Sequence, residues 1–191
     1  MYYSPNWTGY QIQYQSRIIT QARASWVVPQ EPIKGTNDAT VAVWVGLGGF
    51  GKPVNLCQAG YAMTRVNGQI QMGLIGQDWP RPFKTWSSVH AGDVIHAVVG
   101  LVNGRYQATV TDVTQQHSLV VGCAVPKQGG GAYAEWIAEK QPSQPVLDSV
   151  PLWFNPMGYE TRKAGQHKSL RWVTYEMPAL LAKGRLVVKG W

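Results

Sequence analysis

The chain has 191 residues, of which 45% are hydrophobic and 14% charged, and a formal net charge of +7. This length suits one domain with a substantial core, and nine Trp and nine Tyr among so few charges exclude a disordered chain. No apolar run approaches the ~20 residues of a membrane helix, which leaves no membrane partner to expect.

The first residues, Met1, Tyr2, Tyr3, Ser4 and Pro5, carry neither a basic start nor an apolar stretch, so no signal peptide is visible. Tyr10, Ile12 and Tyr14 alternate with Gln11 and Gln13, which predicts a half-exposed strand. Residues 24–29 predict another, stopped by Pro29. Residues 32–38 read as a loop. Residues 41–45 are almost wholly apolar and suit a strand buried on both faces.

Gly46, Gly48, Gly49 and Gly51 then punctuate the chain. Gly46, Gly48 and Gly51 match the spacing of a dinucleotide-binding turn. That site needs a helix N-terminus at the pyrophosphate, and here Pro53 and an alternating strand follow. The nucleotide reading is set aside. Beyond the turn, Leu56 and Gln58 share one strand face and Cys57 and Ala59 the other. Gln58 thereby stands as a polar amide at an inward-looking position, where an unpaired amide costs roughly 1–3 kcal/mol.

Asn67-Gly68 and Asn103-Gly104 each separate two strand-like runs and predict two-residue hairpins. Residues 77–83, with two prolines, read as a loop, and residues 118–125 as a strand. Gly129, Gly130 and Gly131 form a link to residues 132–139. As a strand, that segment puts Tyr133, Glu135, Ile137 and Glu139 on one face; a helix competes but the run is short for one. Residues 152–154, 170–177 and 185–188 complete the strands, with a helical turn expected over 178–183. About a dozen short strands and no long helix indicate an all-β sandwich or barrel.

The chemistry on offer is narrow. Cys57 and Cys123, the only cysteines, are either two buried thiols or one disulfide. They make no zinc site, and His90, His96, His117 and His167 have no ligand spacing, so no metal is expected. Arg162, Lys163, His167, Lys168 and Arg171 form a mild basic cluster without a nucleic-acid-binding motif, which reads as a solvated face. No serine or cysteine stands in a recognisable nucleophile context beside a histidine. Glu135 and Glu139 on one strand face are about 13 Å apart at ~3.3 Å per residue, long for a glycosidase pair. Asp78 or Asp93 remains as a partner for either.

Six motifs occur in order: Ser4-x-Asn6-Trp7-x-Gly9-Tyr10; Trp26-x-Val28-Pro29; Trp44-Val45-Gly46-x-x-Gly49; Gln58-x-Gly60; Gly92-Asp93; and Ala134-Glu135-Trp136-Ile137-x-Glu139. Together they resemble the glutamic peptidases, or eqolisins, over residues 4–142 and more loosely beyond. The resemblance implies one domain over residues 1–191. Its fold would be a concanavalin-like β-sandwich of two large antiparallel sheets, bent into a substrate groove. It implies an endopeptidase with a polypeptide substrate, no cofactor, and a catalytic pair falling on Gln58 and Glu135. Substrate-lining tryptophans fall on Trp7 and Trp44, expected to be partly exposed beside Gln58, with Glu139 in support. The family habit suggests a secreted protein working at acid pH.

The sequence departs from the family twice. The aspartate of its W-V-G-I-D-G segment is Gly48 here, and its W-Y-E segment has no clear counterpart around residues 71–75. With fewer neighbouring acids, the Glu135 pKa is expected to be raised less, burial without partners would push the other way, and acid activity is expected to survive with an optimum at about pH 4–5, as for an unperturbed glutamate. Two other readings stay open: an inactive module of the same fold that binds a structural partner, and a carbohydrate-binding sandwich.

Overall fold

The computed structural model describes residues 2–3, 7–13, 17–30, 38–49, 55–124, 133–140, 152–154, 157–163, 169–170, 177–179 and 185–190. Every element among them is a strand. In chain order they are β1 (Tyr2–Tyr3), β2 (Trp7–Gln13), β3 (Arg17–Val27), β4 (Ala39–Gly48), β5 (Leu56–Val66) and β6 (Gln69–Trp79). There follow β7 (Lys84–Ser88), β8 (Val94–Val102), β9 (Arg105–Asp112), β10 (His117–Gly122) and β11 (Tyr133–Lys140). The last are β12 (Leu152–Phe154), β13 (Met157–Lys163), β14 (Ser169–Leu170), β15 (Met177–Ala179) and β16 (Arg185–Gly190).

Eight strands form one sheet in the order β1-β16-β2-β11-β4-β5-β6-β7, and six form a second in the order β10-β9-β8-β3-β13-β14; β12 and β15 pair separately. All pairs are antiparallel except β16 with β2. The two Asn-Gly dipeptides close the β5–β6 and β8–β9 hairpins. Asn67 and Gly68 have φ of 52° and 76°, Asn103 and Gly104 of 49° and 77°, the paired positive values that a two-residue turn of right-handed strand twist requires.

Alternation along the strands sorts side chains between the sheets. Val43, Val45, Leu47, Cys57, Ala59, Tyr61, Ala134 and Trp136 of the larger sheet meet Ala22, Ala24, Trp26, Ile95, Ala97, Ala108 and Val110 of the smaller. Trp26 lies 6.0 Å from Tyr61 between ring centroids, and the Trp136 indole N–H donates to the Arg23 carbonyl at 2.9 Å, tying β11 to β3. Cys57 of β5 and Cys123, just past β10, are joined as a disulfide. The open alternative is settled as a covalent staple near one end of the core.

A second, smaller cluster covers the opposite face of the larger sheet, where Trp44, Leu56 and Ile137 pack with Trp7 and Ala42. For this reason β4 and β5 are buried on both faces near residues 43–48 and 56–61.

Several expectations change. Residues 77–79 are strand, because the β5–β6 ladder runs on to Leu56 opposite Trp79. Pro178 and Ala179 lie in β15 rather than in a helical turn; the rest of that turn lies outside the described residues. Gln11 is buried, so β2 is not half-exposed there. Gln58 is buried, but on the outer face of the larger sheet, away from the inter-sheet core that takes Cys57 and Ala59. The glycine link at 129–131 and the side chains of the basic cluster at 162–171 lie outside the described residues.

Candidate active site

Strand register builds the site. Gln77 of β6 stands opposite Gln58 of β5, Gln58 opposite Gly46 of β4, Gly46 opposite Glu135 of β11, and Glu135 opposite Gln11 of β2. Directly opposed residues project from the same face, so one row across five strands carries three amides, one carboxylate and a glycine. Gln58 and Glu135 flank the strand that holds Gly46, about 10 Å apart between Cα atoms at ~4.8 Å per strand. Gly46 places no side chain between them. Instead the Trp44 ring and Leu56 pack over it: a Cβ there would come within 2.8 Å of each.

Glu135 has no exposed surface. Its Oε1 accepts a hydrogen bond from Gln11 Nε2 at 2.9 Å, while its Oε2 has no hydrogen-bond partner among the described residues. Burial pushes its carboxyl from an ordinary 4.5 up to about 8; the Gln11 bond pulls it down and the Glu139 charge adds to the rise. This overturns the expectation of a nearly ordinary glutamate. Fewer acidic neighbours do spare it repulsion, but loss of water around the carboxylate outweighs that.

Gln58 is also buried, and its amide is oriented by a relay. The Arg81 carbonyl can only accept, so Gln77 turns its Nε2 toward it, at 2.8 Å. Gln77 Oε1 then faces Gln58 and accepts from Gln58 Nε2. One N–H of Gln58 is thereby spent, leaving its second N–H, and its Oε1 has no partner among the described residues.

Gly49, in the turn after β4, lies against the carboxylate. A Cβ there would sit 2.5 Å from Glu135 Oε2 and 2.8 Å from Oε1, so glycine is what lets the chain pass this close. Gly48 has φ of 103°, and a Cβ on it would meet the Asn55 carbonyl at 1.9 Å. The acid that the family resemblance puts at this position has no room here.

One step along the strands lies Trp44, opposite Gly60 and Ile137; one step further lies Glu139, opposite Trp7 and Ala42. Trp44 Nε1 donates to Glu139 Oε2 at 3.1 Å, and the Trp7 and Trp44 rings meet edge to face at 5.6 Å. Burial raises the Glu139 carboxyl above its ordinary value, and the indole N–H groups of Trp7 and Trp44 oppose that rise. Trp7 is half-buried, but Trp44 is fully buried, against the expectation of a partly exposed ring. Its face is taken up by Gly46 and Trp7.

Other candidates fall elsewhere. Asp78 lies on the core-side register of β6, opposite Cys57, and pairs with Arg81 at 3.5 Å. Asp93 accepts from the His90 N–H at 2.7 Å and from Gln115 Nε2 at 3.1 Å, beside the smaller sheet. Neither partners Glu135 or Glu139. The fold does bring a serine to a histidine: Ser25 Oγ lies 2.7 Å from His96 Nδ1 across β3 and β8. Burial and the Arg23 charge lower the pKa of that imidazole, and among the described residues no carboxylate is bonded to it. No group of three or more metal-binding side chains occurs among the described residues. Nor does any described helix have the length and apolarity to cross a membrane.

Gln77 and Gln11 escaped the sequence reading. Gln77 was within reach: a two-residue turn at Asn67-Gly68 pairs Val66 with Gln69 and, eight residues further out on each strand, Gln58 with Gln77. Assigning 77–83 to a loop concealed it. Gln11 meets Glu135 across 124 residues of sequence, and no local signal announces that pairing.

Comparison with solved structures finds the same fold. A scytalido-glutamic peptidase crystallised with a peptide-based transition-state analogue matches with a TM-score of 0.65 at 18% identity, over 88% of this chain and 84% of the other. SCP-B, described as a member of the eqolisin family of peptidases and crystallised with the tripeptide Ala-Ile-His, matches with a TM-score of 0.61 at 18% identity, over the same shares. No curated protein sequence matches. The model of the Peptidase A4 family matches residues 5–171. With that match over most of its length, and a two-sheet sandwich fold shared with glutamic peptidases, this chain belongs to the Peptidase A4 family.

Proposed function

We propose that this protein is an endopeptidase in which Glu135 and Gln58 hydrolyse a peptide bond with an activated water and no cofactor. The observation that carries this is the register row. It sets a carboxylate with one oxygen unpartnered among the described residues and an amide with one unspent N–H on either side of Gly46, over which the Trp44 ring and Leu56 pack.

The chemistry follows from those groups. Glu135, ionised, takes a proton from water as the water oxygen bonds to the scissile carbonyl carbon. The carbonyl electrons move to oxygen, and the second N–H of Gln58 donates to that oxyanion, an interaction of roughly 2.7–4 kcal/mol in comparable sites. Glu135 then returns its proton to the departing nitrogen as the C–N bond breaks. Gln77 and the Arg81 carbonyl hold the Gln58 amide in the donating orientation. Gly49 lies against the carboxylate without a side chain to fill the space there. Trp7 and the exposed Trp79, on the same face of the sheet, offer apolar surface to a substrate. The Cys57–Cys123 disulfide suits an oxidising compartment such as the outside of the cell.

A base that burial holds near 8 cannot be ionised at pH 4–5, so activity should rise toward neutral pH rather than peak in acid. The test is incubation with a denatured protein from pH 3 to 9, with Glu135→Gln as control. Cleavage by the parent chain and at least ~100-fold less by the variant is expected. Equal rates would remove Glu135 from the mechanism. The complete burial of Glu135 and near-complete burial of Gln58 also favour a second reading, a sandwich that binds polypeptide without cleaving it. Absence of cleavage by the parent chain at every pH would select that reading.

A further inference from the structure

Gln11 is a polar side chain that the reaction does not touch, yet it is 2% exposed and buried against the one group that must change charge. It lies on β2 directly opposite Glu135, and its Nε2 faces Oε1 at 2.9 Å. A carboxylate offers only acceptors, so the amide nitrogen, not its oxygen, meets an ionised Glu135. We infer that Gln11 is a positioning residue for the reaction proposed above: by holding Oε1 it makes Oε2 the oxygen that takes and returns the proton. The same bond, made to a charged acceptor, also favours the ionised form.

The surroundings leave this task to Gln11. Among the described residues, β4 presents Trp44, Gly46 and Gly48 on this face, and β5 presents Leu56, Gln58 and Gly60, none of them charged. On β2 the flanking positions are Gly9 and Gln13, the latter donating to the Tyr133 hydroxyl at 2.9 Å. On β11 itself the titratable neighbours are Tyr133 and Glu139. Glu139 is held by Trp44 and raises the Glu135 pKa, so it works against ionisation. Gln11 is the group bonded to Glu135 that favours its charge.

In a resting Glu135 protonated on Oε1 the amide rotates and accepts from that hydroxyl. Both charge states would then be bonded, but a bond to a charged acceptor is the stronger, so the net pull is toward the carboxylate. In the proton-carrying intermediate the proton sits on Oε2 and Oε1 stays an acceptor, so the unrotated Gln11 N–H keeps Oε1 tethered while Oε2 faces the leaving nitrogen. Gln58 has an analogous backing on the other side, where Gln77 holds its amide. Each reacting side chain is thus steadied by a glutamine on the next strand outward.

The test compares Gln11→Met, which keeps length and volume but has no N–H, with Gln11→Glu, which can donate the same hydrogen bond only when protonated. Two readouts are taken on the full chain: the pH profile of kcat/KM on a denatured protein, and the Glu135 carboxyl resonance through a pH titration. In Gln11→Met the acid limb and the Glu135 titration should both move up by about 1–2 pH units, the equivalent of one hydrogen bond to a charged group. KM should change less than kcat. Gln11→Glu should approach the parent chain at low pH and fall behind as its own carboxyl ionises beside Glu135. If Gln11→Met does not fold, the pH-dependent loss in Gln11→Glu decides the matter alone. An unmoved Glu135 titration in folded Gln11→Met, or Gln11→Glu matching the parent chain throughout, overturns the inference. A parent chain that cleaves nothing overturns the peptidase reading instead, and the resonance titration still judges the Gln11–Glu135 coupling.

Discussion

Glu135 is stored in its folded site at a cost that depends on pH. Its ordinary pKa is 4.5 and its folded value about 8. Below pH 4.5 both folded and unfolded chains hold the proton. Between 4.5 and 8 the unfolded chain has released it and the folded chain has not, so stability falls as pH rises through that window and levels off above it. Glu135→Gln, which never ionises, should therefore melt close to the parent chain at pH 4 and clearly above it at pH 8. Parallel melting curves across the range would mean that burial does not hold the carboxyl protonated. With the expected divergence, the same residue limits stability and supplies the chemistry, a trade seen where activity needs a strained or desolvated group. Trp44 is the opposite case. Its ring is fully enclosed over Gly46 and beside Trp7. Trp44→Ala should cost about 3–5 kcal/mol and lower Tm by roughly 10 °C. A stable variant that only raised KM would return Trp44 to the role of a substrate wall.

Among elements, β4 and the turn after it determine what the site can contain. β4 carries Trp44 and Gly46 on its outer face and ends at Gly48, where φ of 103° and the Asn55 carbonyl leave no place for a side chain. Gly48→Asp, the change that would restore the family's acid, should destabilise the fold by more than ~1 kcal/mol before it can alter any pH profile. Thermal melting together with the pH profile checks this: a stable variant with a shifted profile would show that the turn can rearrange. The neighbouring β5–β6 hairpin is more legible. Its Asn67-Gly68 turn dictates register, and register puts Gln77 behind Gln58.

At the scale of the molecule, the disulfide from Cys57 to Cys123 spans 66 residues and joins the larger sheet to the end of β10, one position from Gln58. By the chain-entropy estimate, closing a loop of that length stabilises by about 4 kcal/mol. Reduction, or Cys123→Ser, should lower stability by that order in denaturant melts. It should lower activity only to the extent that Gln58 loses its place. Loss of cleavage with unchanged stability would assign the disulfide a local role at the site rather than a global one.

Much of the fold was written in short-range pattern. Period-two alternation, two Asn-Gly turns and the absence of a long helical period specify strands and hairpins, because turn geometry and face burial act over a few residues. The ordered motifs around Gln58 and Glu135 were legible for the same reason: each lies within one strand. What the tertiary structure alone decided is which residues share a row. Gln11 and Glu135 are neighbours only because β2 and β11 pair across the length of the chain. The closing of the disulfide and the burial of Trp44 likewise depend on sheets meeting, not on local pattern. The ionisation of Glu135 belongs to that class as well. Sequence supplies the carboxylate, but the water it loses and the partners it gains are properties of the packed sandwich, and these set whether it holds its proton.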